Sequence, residues 1–341
     1  MSKLEQLIKD LCPDGVEYTS LGEILINNNA SDSVSKNDYK EVGKIPIIDQ
    51  SQAYIAAYTD NESAIPPAFP CIIFGDHTRV VKYADKKFAQ GDSGTKVFIP
   101  VSDDINAKYI YYAFCNLNIP SRGYNRHWTI VKDITIPLPS LPVQEEIVRI
   151  LDNFTELTAE LTAELTARKK QYDYYRNSLL SESELCTDGV EYRKLEKCCN
   201  ILDRQRKPVT KSARETGEYP YYGANGIQDY VSDYIFDGTF VLVGEDGSVI
   251  TKNGNPVVTW AQGKIWVNNH AHIIGEIDGV LLRYLYHFIQ TVDVTSLIHG
   301  NIPKLTGGDF KAIPIALPPL PVQEEIVRIL DNFTELTAEL T

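Results

Sequence analysis

The stretch LPVQEEIVRILDNFTELTAELT runs from Leu141 to Thr162 and again, letter for letter, from Leu320 to Thr341. Outside it the similarity continues, more weakly and in the same order. DGVEY occurs at Asp14–Tyr18 and Asp188–Tyr192, and Ile45-Pro46 matches Tyr219-Pro220. Ala89-Gln90-Gly91 matches Ala261-Gln262-Gly263, and KYIYYAF from Lys108 matches RYLYHFI from Arg283. The offset drifts by only a few residues, as it does when loops of a duplicated domain gain or lose length. Residues 20–140 and 193–319 therefore read as two diverged copies of one domain, and 1–19, 141–192 and 320–341 as the connectors between them. Identical connectors on divergent domains predict one shared task and two different ones.

The connector reads as a long helix. After a Pro-rich exit that cannot continue a helix, apolar residues recur at 143, 147, 150, 154, 157, 161 and 165, then at 172, 175 and 179. Alternating steps of four and three make a seam for a partner helix. The packing candidates are Ile147, Leu151, Phe154, Leu157, Leu161 and Leu165, with Ile326, Leu330, Phe333 and Leu336 in the second copy. Leu157, Leu161 and Leu165 stand four apart, a stutter that locally unwinds a left-handed supercoil. From Val143 to Leu180 the helix would measure ~57 Å. Each TAEL unit is rich in helix formers and behaves as a spacer worth ~6 Å and a rotation of roughly 40°.

The N-terminal SKLEQLIKDLCPDGVEY repeats the end of the first connector, where Leu-Cys-x-Asp-Gly-Val-Glu-Tyr also occurs. Laid end to end, the C-terminal and N-terminal pieces restore much of a second connector, without a counterpart to 163–180. The chain is thus expected to be a fragment or a naturally shortened form. The expected fold is α/β (α+β): two duplicated globular domains separated by long antiparallel coiled-coil helices in a pseudo-two-fold, circular arrangement.

Composition narrows the function. The net charge of −13 looks unsuited to phosphate binding. Its distribution reverses that reading, because 20–140 carries −1 and 193–319 carries 0, leaving the acidity in the connectors. The N-terminus lacks a signal-peptide apolar run and no stretch is long enough for a membrane span, so no membrane partner and a cytoplasmic location are expected. The six cysteines (12, 71, 115, 186, 198, 199) form no CxxC pair, which argues against zinc or a disulfide framework. There is no Asn/Asp-Pro-Pro-aromatic motif for adenine methylation; AIPPAF at Ala64 and GNPVV at Gly254 come nearest. No GxxxxGK[ST] loop is present. His270, His272 and His299 lack a metal-site context, and VGEDGSV at Val243 reads as a hairpin turn. No catalytic residue, metal or cofactor is expected in this chain.

Duplicated variable domains, each ending in IPLPSLPVQEEIVRIL or IALPPLPVQEEIVRIL and joined by a TAEL-bearing helix, resemble the specificity subunit of type I restriction-modification enzymes over nearly the whole chain. The resemblance implies that each variable domain is a target-recognition domain reading half of a bipartite site in double-stranded DNA, while the helices set the spacer. It also implies docking of methylation subunits and, beyond them, restriction subunits, partners expected to use S-adenosylmethionine, ATP and Mg. A non-DNA adaptor with two peptide- or carbohydrate-binding domains is the competing reading.

Candidate DNA contacts are local clusters of basic residues. In the first domain they are Arg79 and Lys82 in GDHTRVVK, and Arg122, Asn125, Arg126 and His127 in SRGYNRHW, interleaved with Tyr124 and Trp128. In the second they are Arg204, Arg206, Lys207 and Lys211 in the basic stretch DRQRKPVTKSAR, and Asn301 and Lys304 in HGNIPKLTG. Lys and Arg suit phosphates, and Arg suits guanine edges in the major groove. The alternatives are a solvated loop for the basic stretch and core roles for the aromatics.

Overall fold

The computed structural model describes residues 2–185, 190–247 and 249–338. Cys186, Asp188 and Gly189 of the repeated N-terminal stretch, and 339–341 of the repeated helix, lie outside the described residues. The chain divides between Ala159 and Glu160, inside the first TAEL, into two compact units.

The first unit opens with helix α1 (Lys3–Leu11), capped by a reciprocal Ser2–Glu5 box. The domain then starts and finishes in a two-stranded antiparallel ribbon, Tyr18–Ser20 against Thr135–Pro137. Between them a four-stranded sheet runs in the order Leu25–Asn27, Thr95–Pro100, Cys71–Gly75, Val81–Ala84. A three-stranded sheet follows in the order Ala89–Gln90, Ile45–Ile48, Ala57–Thr59. Helix α2 (Ala107–Cys115), capped by the Asn106 side chain, packs Ile110 and Phe114 into a core with Ile72, Phe74, Val131 and Ile136. The first stretch of α3 (Leu141–Leu179) leaves this domain.

The second unit repeats the plan. Its ribbon pairs Glu191–Lys194 with Pro314–Leu317, and Tyr192 faces Ala316 as Tyr18 faces Pro137. One six-stranded sheet runs Asn200–Ile201, Ala271–Gly275, Phe236–Gly244, Val258–Val267, Thr216–Gly223, Gly226–Val231. Strand order matches the first domain throughout. There the counterpart of Val258–Val267 is interrupted between Ala84 and Ala89, which splits one sheet into two. Helix α4 (Leu282–Ile289) corresponds to α2, and helix α5 (Leu320–Ala338) to the start of α3.

Register corrects one sequence match. Ile47 pairs in parallel with Ala89, and Tyr221 with Trp266, so Ala89-Gln90-Gly91 occupies the place of Trp266-Val267-Asn268. Gly91 N–H donates to Ile48 O as Asn268 N–H donates to Tyr222 O. The shared letters Ala-Gln-Gly at 261–263 are a coincidence of sequence, because hydrogen-bond register fixes equivalence.

Candidate nucleic-acid interface

The repeated helix start grips each domain with the same side chains. Gln144, almost fully buried, accepts from Asn106 N at 2.9 Å and donates to Pro139 O at 2.7 Å and Asp104 O at 3.3 Å. Gln323 accepts from Leu281 N at 3.0 Å and donates to Pro318 O at 2.9 Å and Gly279 O at 3.3 Å. One side chain thus joins the Pro-rich exit to the loop that starts the domain helix, using both ends of its amide.

Two turns further along, Asp152 receives Lys108 at 2.8 Å and Tyr112 at 2.6 Å. Asp331 receives Arg283 at 2.7 Å and His287 at 2.8 Å. Tyr109 and Tyr284 complete the match by donating to Pro137 O and Ala316 O. Burial alone would raise the Asp331 carboxyl; hydrogen bonds from His287 and Arg283 outweigh it and hold it below the ordinary carboxylate range. Burial keeps His287 below the ordinary imidazole value, against the opposing pull of Asp331. Its Nδ1 lies 2.9 Å from the Tyr172 hydroxyl, so a neutral ring with the proton on Nε2 satisfies both contacts.

The seam candidates divide. Ile326 and Leu330 are buried in the core of the second unit, and Phe333 stacks on Tyr175 at 5.1 Å. Ile147, Leu151 and Leu165 are half-buried. Phe154, Leu157, Leu161 and Leu336 are 64%, 51%, 41% and 42% exposed, with their apolar surface facing outward.

At the far end of each sheet, the loop after a buried strand is tied to the loop before a short helix. In the first domain, Asp76 follows Gly75; its carboxylate accepts from Trp128 N at 2.8 Å, and its backbone oxygen accepts from His127 N at 2.8 Å. His127 Nδ1 lies 2.9 Å from the same oxygen, while Nε2 accepts from Arg122 N at 3.1 Å. In the second domain Glu245 follows Gly244, and its backbone oxygen accepts from Leu305 N at 2.8 Å. Lys96 stands 3.7 Å from Asp76, and His272, from the matching strand, 3.6 Å from Glu245.

This geometry sorts the candidates. Arg122, Asn125 and Arg126 are exposed on the loop anchored by His127, and Arg79 is exposed beside it, with its guanidinium on Ile119 O at 2.8 Å. Arg204, Lys207, Lys211, Asn301 and Lys304 are exposed in the second domain. Three assignments are corrected. His127 is fully buried, and both ring nitrogens are spent on backbone. Lys82 is buried and donates to Asp49 O and Ala53 O, and burial pushes its ammonium below the ordinary lysine value despite Asp49. Arg206, 12% exposed, bonds Glu245 at 2.6 Å, Ala271 O at 2.6 Å and Asp203 O at 2.9 Å. These three hold loops in place instead of presenting charge.

Asp203, Glu245 and His272 lie close enough to share a metal ion. Arg206 and Lys304 already neutralise the carboxylates, at 2.6 Å and 3.2 Å from Glu245, and a divalent cation would have to displace them. The cluster is a charge-compensated anchor that joins 203–206, 245–246 and 304–305. Sequence reasoning missed Asp76 and Glu245, and it missed the Gln and Asp clasps, for which identity of the helix start in both copies was the available signal.

Two versions of one sheet-and-helix domain, each clasped by its own copy of one helix start and each offering basic loops at its far end, define a duplicated recognition protein. A family model described as "Type I restriction modification DNA specificity domain" matches residues 13–168 and again 187–341. The specificity subunit of the Escherichia coli type I restriction enzyme EcoR124I/EcoR124II is 30% identical, with alignment over 100% of this chain and 92% of that protein. A putative type I specificity subunit from Haemophilus influenzae is 46% identical over 48% of this chain, and that stretch spans 42% of its own length. The crystal structure of the S subunit from M. genitalium shares the fold, with a TM-score of 0.66 at 17% identity, over 95% of this chain and 93% of that one. The chain belongs to the family of type I restriction-modification specificity subunits and carries two of its specificity domains. These relatives give the adaptor reading no support. Among the described residues no helix is long and apolar enough to cross a membrane.

Proposed function

We propose that this chain reads a bipartite site in double-stranded DNA, one half per domain, and does no chemistry itself. Methylation subunits, and restriction subunits beyond them, dock on the repeated scaffold in the cytoplasm and supply catalysis with S-adenosylmethionine, ATP and Mg. The observation that supports this most is the clasp: Gln144 and Gln323, with Asp152 and Asp331, hold two domains of different surface to one helix sequence. A scaffold that keeps its grip while the loops diverge suits interchangeable readers on a fixed frame. Exposed Arg and Lys on anchored loops suit phosphate positioning and base-edge readout.

The test is binding to mixed-sequence duplexes by the chain assembled with its methylation subunit. A sequence preference split into two half-sites separated by a fixed spacer is expected. Binding that ignores sequence under all salt conditions would overturn the proposal.

A further inference from the structure

In the first domain Tyr124 is 84% exposed, although it is a large ring on a loop whose neighbours are fixed. Gly123 precedes it with φ of 63°, a left-handed turn that lifts the next residue from the surface. One face of the ring is covered: His77 stacks on it at 4.4 Å and 6° between planes. His77 comes from the other loop, directly after Asp76, so the two loops tied at Asp76 meet again in this ring pair. The His77 Nδ1 is buried without a hydrogen-bond partner, which leaves stacking as the contact that side chain makes there. Arg122 and Arg126 flank the pair on the exposed loop.

We infer that Tyr124 is a base-contacting residue: its open face stacks on a nucleobase displaced from the helical stack within the first half-site, with His77 as a rigid backing. This rests on the DNA-reading function proposed above. An aromatic platform suits a displaced base because every base offers a π-face, and bordering guanidinium groups take the phosphates on either side. The second domain makes a different contact. After Gly300, with φ of 82°, its loop exposes Ile302 at 70%. An aliphatic tip cannot stack in this way, so the effect belongs to one half-site only.

The experiment uses the chain assembled with its methylation subunit and duplexes carrying the mapped target, with an abasic site placed at each position of the first half-site in turn. Tyr124→Ala is expected to weaken binding to the intact duplex about five- to hundredfold, while Tyr124→Phe binds as the wild type does. At one position the abasic duplex should bind Tyr124→Ala and wild type equally, because the partner base is already gone. A wild-type preference that Tyr124→Ala leaves intact, or losses that add at every abasic position, would overturn the inference alone. Failure of the wild-type complex to prefer any duplex would overturn the reading of function and this inference with it.

Discussion

Gln144 accepts a hydrogen bond from the backbone N–H of Asn106 at 2.9 Å, at the start of α2 and 38 positions away in the chain. Gln323 does the same for Leu281 at the start of α4. The equivalence of these contacts explains why the helix start is repeated so closely: the amide must reach a donor and two acceptors at once. Replacing Gln144 or Gln323 by Leu strands buried backbone groups, with a cost of about 1–3 kcal/mol each. Thermal unfolding should fall by several degrees for either variant. An unchanged midpoint would remove the clasp from the account.

The pair His287–Asp331 gives the second unit a titrating contact at a place where the first has Tyr112 opposite Asp152. His287 titrates below 6.5 in the folded chain, so unfolding takes up a proton once the pH drops under that value. Its contribution is complete above about pH 6.5 and is lost as pH falls through the lower folded value. Asp331, also lowered, adds a loss only in the more acidic carboxylate range. Stability measured by denaturant between pH 5 and 8 should rise with pH up to about 6.5 and then level off, with a slope of at most ~1.4 kcal/mol per pH unit from this group. His287→Tyr, which copies the first domain, should flatten that slope; an unaltered slope would contradict the assignment.

Arg206 and Arg204 should separate stability from recognition. Truncating Arg206 takes one cation from Glu245 and Asp203, which keep Lys304 and His272, and strands the Ala271 and Asp203 carbonyl oxygens, a loss of about 1–3 kcal/mol. Arg204 is exposed, and Arg204→Ala should leave stability within about 0.5 kcal/mol while lowering DNA affinity and its salt dependence. Equal effects of the two variants on unfolding would show that burial does not divide their roles.

The boundary between the units falls inside a TAEL repeat. Inserting one further TAEL after Leu161 lengthens the helix by ~6 Å, equivalent to about one or two base pairs at 3.4 Å per step along the duplex. The recognised spacer should grow by that amount, with both half-sites unchanged. A changed half-site base would sink the spacer role.

Much of this architecture was legible because the chain carries its own comparison. Two copies of LPVQEEIVRILDNF marked the domain exits and the helix, and DGVEY marked the entries. The clasps were not legible, since Gln144 and Gln323 meet backbone groups that folding alone brings near. Lys82 and His127 misled for the same reason. A basic residue in a polar string suggests solvent, yet Asp49 O, Ala53 O and Asp76 O, all remote in sequence, draw these side chains inward. The Ala-Gln-Gly match failed because three shared letters carry no register. Periodicity placed Phe154, Leu157 and Leu161 on one stripe but could not say whether anything covers it, and they are exposed.

The independence of two readers on one shared grip can be measured by mapping methylated adenines genome-wide in cells carrying the intact system, and in cells where residues 20–140 are replaced by a second copy of 193–319. One half-site should stay as it was and the other become a repeat of it, with the spacer unchanged. Loss or alteration of both half-sites, or no change in either, would contradict it.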